Sequence, residues 1–311
     1  MKKFIALLST VLLSVSLLSA TPYDVKKFNS ISASSIYDIT LVKGQTCTVD
    51  IDASASLQQY ISVTVVGHTL YLSVSPKALK LVGEKSNYLR AKITMPEIQS
   101  IDLGGSAKLR SDDSFFSKDE VEMEISGAAV VTGLDLNASR FDIEVSGAAR
   151  LNSCLFDGRL VELESSGAAK VDCEIIATDA SLDVSGAAGC KAVVHSTNLS
   201  IDASGASSTN VEVIDTLTKS FIESSGSAKV SISGSRVGGL TIEASGASTV
   251  KAGDIEAVNV KVEASAAAKV DVTAVDSLAV EARGASTVTY GLTKSTASVD
   301  VNASYAKVRQ R

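Results

Sequence analysis

Apolar and polar residues alternate along this chain in short runs, and the runs recur. At 141–151 the chain reads FDIEVSGAARL, at 161–171 VELESSGAAKV and at 240–250 LTIEASGASTV. Alternation with period two predicts strands with one buried face, and the runs are too short and wrongly spaced for helices. A Ser-Gly-Ala step separates the strands. Anchored on its glycine, the repeat runs Gly105, Gly127, Gly147, Gly167, Gly186, Gly205, Gly226, Gly246, then Ala266 in the glycine place, then Gly284. A degraded copy follows at Asn302-Ala303-Ser304-Tyr305, and successive anchors lie 18 to 22 residues apart.

Fixed positions around the anchor keep one character. Four residues before it stand Ile101, Met123, Ile143, Leu163, Leu182, Ile201, Ile222, Ile242, Val262, Val280 and Val301. Four after it the residues are again mostly apolar, as Leu109, Val131, Leu151 and Val171. A strand, a glycine bend, a second strand and a variable return describe one coil of a β-solenoid. Glycine reaches backbone angles denied to other residues, so it suits the bend. One coil cannot bury its apolar side, and stacked coils make a continuous core. The expected fold is all-β: a parallel β-helix of ten to eleven coils over 99–311. A β-sandwich does not hold one motif in register through ten copies, and a propeller repeat is nearer forty residues.

Residues 21–98 depart from the repeat and predict an N-terminal β-rich capping part. Strands there are punctuated by Lys43-Gly44 and Gly67-His68, and a Leu57-Gln58-Gln59-Tyr60 turn interrupts them. The stretch AKITMPEIQSIDLGGSAKL at 91–109 leads into the serial Ser-Gly-Ala steps. This arrangement resembles the secreted auto-transporter adhesin head domain, or GIN domain, of Bacteroidetes, from about residue 22 to residue 308. The resemblance implies a right-handed, exported parallel β-helix and little about activity.

An acidic column marks the repeat. Three residues before each anchor stand Asp102, Glu124, Glu144, Glu164, Asp183, Asp202, Glu223, Glu243, Glu263 and Glu281, with Asn302 in the last copy. Alternation points these side chains outward, and stacking places them about 4.8 Å apart. Like charges at that spacing repel by about 1 kcal/mol per pair even in water. The cations three residues after the anchor, Lys108, Arg150, Lys170, Lys229 and Lys269, are the first candidates to offset this. Three coils carry a second acid two residues earlier, which predicts a grid of Glu122, Glu124, Asp142, Glu144, Glu162 and Glu164. Weak calcium binding there is the alternative reading, because calcium prefers oxygen ligands. The bland reading is a solvated face that keeps the protein soluble.

The remaining composition narrows the functions. Residues 1–20, with Lys2 and Lys3 before an apolar run closed by Ser19 and Ala20, read as a cleaved secretory signal. Without them 27 basic residues face 35 acidic ones, a balance that argues against nucleic acid. No other long apolar run predicts a membrane span. Only AKVRQR follows Tyr305, too little for a membrane barrel, so periplasmic, outer-surface and extracellular residence all stay open. Cys47, Cys154, Cys173 and Cys190 match no zinc spacing. Export permits disulfides, so a bridge and a few buried apolar thiols both stay open. Cys173 and Cys190 are two residues out of step, beyond disulfide reach, while a one-residue bulge would align Cys154 with Cys173 for a bridge. His68 and His195 stand apart from any nucleophile pattern, and no phosphate loop, dinucleotide fingerprint or HExxH occurs. The expectation is a non-catalytic exported protein with an adhesin-like or envelope-scaffold role, no catalytic residues, no cofactor, and a surface glycan or protein as partner. The alternative is a polysaccharide-binding protein or carbohydrate-active enzyme, which should interrupt one face with a cluster of acids, bases and aromatics.

Overall fold

A computed structural model describes residues 21–82, 84 and 87–311; the expected export signal at 1–20 lies outside them. The chain winds into stacked rungs joined by parallel strand pairing. On the first face, before the bend, Ser100–Leu103, Glu120–Ile125, Arg140–Val145 and Leu160–Ser165 pair in succession. The ladder continues through the later parts of Lys170–Val184 and Gly189–Ala203 to Leu217–Ser224 and Val237–Ala244. It runs on through Thr249–Ala264 and Lys269–Arg283 to Ser298–Ser304. A second face starts at Lys108–Arg110 and Val130–Thr132, and a third at Ser114–Phe116 and Asp135–Asn137. The chain is therefore a nearly all-β solenoid of about eleven turns.

The alternation explains the packing. Ile143 pairs with Leu163 and Leu163 with Leu182, all essentially without solvent exposure. Each such side chain stabilises the fold by about 1.5–3 kcal/mol relative to exposure. A column of small residues follows the bends, with Ala129, Ala149, Ala169 and Ala188 buried. Their size lets one bend rest on the next. At the end of the stack the cover runs out: Val299 and Val301, in register with Leu278 and Val280, are exposed.

The bend glycines are locked by two constraints. Gly167 has φ +68°, a left-handed angle, and a Cβ there would lie 2.9 Å from the carbonyl oxygen of Gly147. That carbonyl accepts a 2.7 Å hydrogen bond from Ala168 N–H, so the ladder passes unbroken through the bend. Ala266 takes the same turn at φ +55° and Tyr305 at +60°, so the turn survives a side chain at a cost.

The N-terminal pairing carries the solenoid back past residue 99. Ser30–Ala33 lies in parallel register with Ser100–Leu103, and Asp38–Lys43 pairs in parallel with Lys108–Arg110. Between them Ser35 makes the bend at φ +78°. Residues 30–41 are thus a rung of the solenoid, inside the segment assigned to the cap. Serine in the glycine place and the long excursion to Gly105 hide it. The excursion itself covers this end. Thr48–Ala53 pairs antiparallel with both Thr21–Tyr23 and Leu89–Met95, and Ile61–Val66 turns back on Thr69–Val74.

All four cysteines are free thiols. A bulge between Asn152 and Cys154, with Ser153 at φ +51°, sets Cys154 opposite Cys173 in register. Cys190 instead stands opposite Val171. Burial pushes the Cys154 thiol up to about 11 and the Cys190 thiol to about 12, so these are protonated core side chains.

Candidate functional site

The outward side of the first face holds the chemistry. Its acidic column is in register from Asp102 to Glu281: Asp102 with Glu124, Glu124 with Glu144, Glu144 with Glu164, Glu164 with Asp183, and so on through Asp202, Glu223, Glu243 and Glu263. Nine of the ten are exposed and Glu263 is half-buried. The six carboxylates of the grid come together, because Glu122, Asp142 and Glu162 form a second in-register column beside Glu124, Glu144 and Glu164. A depression of 210 Å³ is lined by Ser100, Asp102, Glu122, Glu124, Asp142 and Glu144, with Met123 beneath.

The crowding is felt. Partial desolvation, and then the neighbouring charges of Glu144 and Asp183, raise the Glu164 carboxyl above its ordinary range. Asp183 is raised for the same reason, with Asp202 as its neighbour. Relief comes from another source than the sequence predicts. Among the described residues, Lys108, Arg150, Lys170, Lys229 and Lys269 form no ion pair with the column. The bend turns them onto the second face. The offsetting groups lie on the first face itself. Arg140 pairs with Glu120 at 2.7 Å and with Glu162, Lys261 with Glu263 at 2.7 Å, and Arg283 with Glu281 at 3.3 Å. The Lys261 ammonium beside Glu263 holds that carboxyl below the ordinary range. Ser32 of the hidden rung donates to Asp102 at 2.8 Å. Among the described residues no group of three or more His, Cys, Asp and Glu side chains is placed to hold a metal ion. Carboxylates lying flat on a sheet do not wrap a cation.

Further along, the second column changes character. Where Glu122, Asp142 and Glu162 stand on the early rungs, Ser181, Ser200, Phe221 and Thr241 stand on the next four. Small side chains between Leu160 and Phe221 leave a groove of 830 Å³ across these rungs. Asp179, Asn198, Lys219 and Gly239 form its other edge. Asn198 donates from its side-chain amide to Asp179 at 2.8 Å, so two polar groups are fixed relative to one another. Phe221 is 37% exposed. Ser220, beneath the groove, belongs to the inward column: it is buried in register with Leu199 and Leu240. Reading the acidic column alone misses this groove; reading the column two residues earlier through all the repeats would have found the switch.

The histidines take no part. His195 sits on the third face between Glu174 at 3.4 Å and Asp215 at 3.1 Å. His68 lines a separate 410 Å³ cavity near Cys47, in the N-terminal excursion.

The family profile described as "Putative auto-transporter adhesin, head GIN domain" matches residues 27–189 and again 158–291. No curated protein matches the chain. Among solved structures, a "putative adhesin" from Bacteroides fragilis is 15% identical, with 94% of this chain and 96% of that chain covered and a TM-score of 0.30. A "putative adhesin" from Parabacteroides distasonis is 14% identical, with coverage of 94% and 96% and a TM-score of 0.36. A "Putative lipid binding protein" from the same species is 16% identical, with coverage of 94% and 96% and a TM-score of 0.34.

Proposed function

The chain belongs to the auto-transporter adhesin head GIN-domain family, and on that premise we propose that it is an exported, non-catalytic binding protein of the cell envelope, adhesin-like in action. The observation that supports this most directly is the first face. One uninterrupted parallel ladder holds its outward positions in register from Ser30–Ala33 to Ser298–Ser304, with a groove set into it. Such a face is a long, rigid binding platform whose side chains change without changing the backbone. The periplasm, the outer surface and the medium are all compatible compartments, and no helix of the described residues is long and apolar enough to cross a membrane.

The polysaccharide-directed alternative divides in two at the groove. Binding is supported; hydrolysis is not. Glycoside hydrolysis uses two carboxyl groups flanking the scissile bond. The groove lining carries one, Asp179, already engaged by Asn198.

The test is to incubate the mature chain with intact cells and with soluble polysaccharides, measuring retention and newly released chain ends together. Retention without new ends is expected. Release of ends that is lost in a Glu144→Gln/Glu164→Gln variant would replace this reading with an enzymatic one. Fractionation of the producing cell assigns the compartment.

A further inference from the structure

The groove differs from the rest of the first face in ways that bear on what fits it. It crosses five rungs, from Leu160 to Gly239, a span of about 19 Å at the strand spacing. Its axis therefore runs along the solenoid, across the strands, and suits an extended oligomer better than a compact small molecule. Its chemistry is mixed. Hydroxyls of Ser181 and Ser200, the amide of Asn198 and the carboxylate of Asp179 supply both donors and acceptors. Phe221 supplies one exposed aromatic ring. A ring carrying many hydroxyls and one apolar side meets all of these at once.

The charge nearby selects among such ligands. Asp183, Asp202 and Glu223 lie two residues along the same strands and point outward on the same face. Two residues of strand is about 7 Å, inside the screening length of about 8 Å at physiological salt. A chain of uronic acids or phosphates in the groove would run parallel to this column of like charge. Lys219 is the one cation of the lining.

We infer that the groove across the rungs of Ser181, Ser200 and Phe221 is a binding subsite for a strand of neutral glycan, with Phe221 against one sugar ring and Asp179, Asn198 and the two serines bonding its hydroxyls. The inference rests on the binding-protein reading above and names its ligand class. A single aromatic platform makes each subsite weak, so retention on a surface comes from many copies engaging one polymer.

The experiment is calorimetric titration of the mature chain with neutral hexasaccharides of glucose, mannose and galactose, and with uronic-acid hexasaccharides of equal length. At least one neutral series binds, and the uronic series binds at least tenfold more weakly at physiological salt. Phe221→Ala weakens neutral binding about tenfold, and Ser200→Glu abolishes it. Phe221→Leu, which keeps an apolar side chain there, and Lys251→Ala, on the second face, control for folding; the latter leaves binding unchanged. Preference for the uronic series, or neutral binding indifferent to both groove substitutions, overturns the inference. If the chain is retained on cells but takes no neutral hexasaccharide, and retention survives Phe221→Ala, the groove assignment fails while the binding-protein reading stands. Retention through a protein ligand would be such a case. If it is retained on nothing, both fail.

Discussion

Two stretches of the same sheet face make the most instructive contrast in this molecule. On the rungs of Gly127, Gly147 and Gly167 the two outward columns are both acidic, and the surface is a wall of six carboxylates braced by Arg140. On the next four rungs one column stays acidic and the other becomes Ser181, Ser200, Phe221 and Thr241, and the surface opens into a groove. The parallel pairing and the inward–outward alternation continue through both. A solenoid therefore separates the work of folding from the work of binding column by column. The inward positions and the bend hold the rungs together, and a single outward column decides whether a stretch repels or receives.

The hinge between the stretches, Gly167, is where that separation is broken most severely. Gly167→Ala places a Cβ 2.9 Å from the Gly147 oxygen at φ +68°. It should destabilise both stretches together by about 1–3 kcal/mol, read as a lower urea midpoint. The converse change, Ala266→Gly, relieves a turn at φ +55° and should gain about 1 kcal/mol. A Gly167→Ala variant as stable as the parent would remove the bend from the account. Next in size, Ser181→Glu with Ser200→Glu turns the groove into more wall. The new carboxylates stack on Glu162 and on one another, so stability should fall by about 1 kcal/mol at low salt and recover in 0.5 M sodium chloride, about where screening is strong. Loss that salt does not restore would mean a steric cause.

A smaller effect separates the buried columns. Thr209 is fully buried in a position held by Val171 two rungs before it and by Val230 one rung after, and its hydroxyl has no partner. Thr209→Val keeps the shape and should stabilise by about 1 kcal/mol or less. The smallest effect is that of pH. Partial desolvation, and after it the neighbouring carboxylates, raise Glu164 and Asp183 above the ordinary carboxylate range in the folded chain. There the folded state binds protons more readily than the unfolded chain. These groups thus lower stability as pH rises through that raised range, and the loss is relieved as pH falls toward about 4. Both are largely solvated, so the change is less than about 1 kcal/mol. Glu164→Gln should flatten the slope of midpoint against pH between about 4 and 7 at low salt; an unchanged slope would dissociate the ladder from stability.

How much of this was legible in the sequence depended on whether the signal repeats. The bends, the buried columns and the acidic column recur some ten times and could be counted. The need for a one-residue bulge to align Cys154 with Cys173 followed from the spacing, and the bulge at Ser153 is there. The first rung was not legible, because Ser35 stands where glycine marks every other early bend. The cations were misplaced because sequence distance from the anchor does not say which side of a bend faces which column. Arg140 is seven residues before its anchor, yet it is the residue that reaches Glu120 and Glu162. The groove escaped because it is a departure from the repeat, and function in a solenoid resides in departures.

The most direct test of the contrast is an amide chemical-shift map of the mature chain titrated with a neutral hexasaccharide that it binds. Shifts confined to Asp179, Ser181, Asn198, Ser200, Phe221 and their neighbours, with Glu122, Glu124, Asp142 and Glu144 unmoved, are the predicted result. Shifts centred on the acidic wall, or spread evenly along the face, would contradict it.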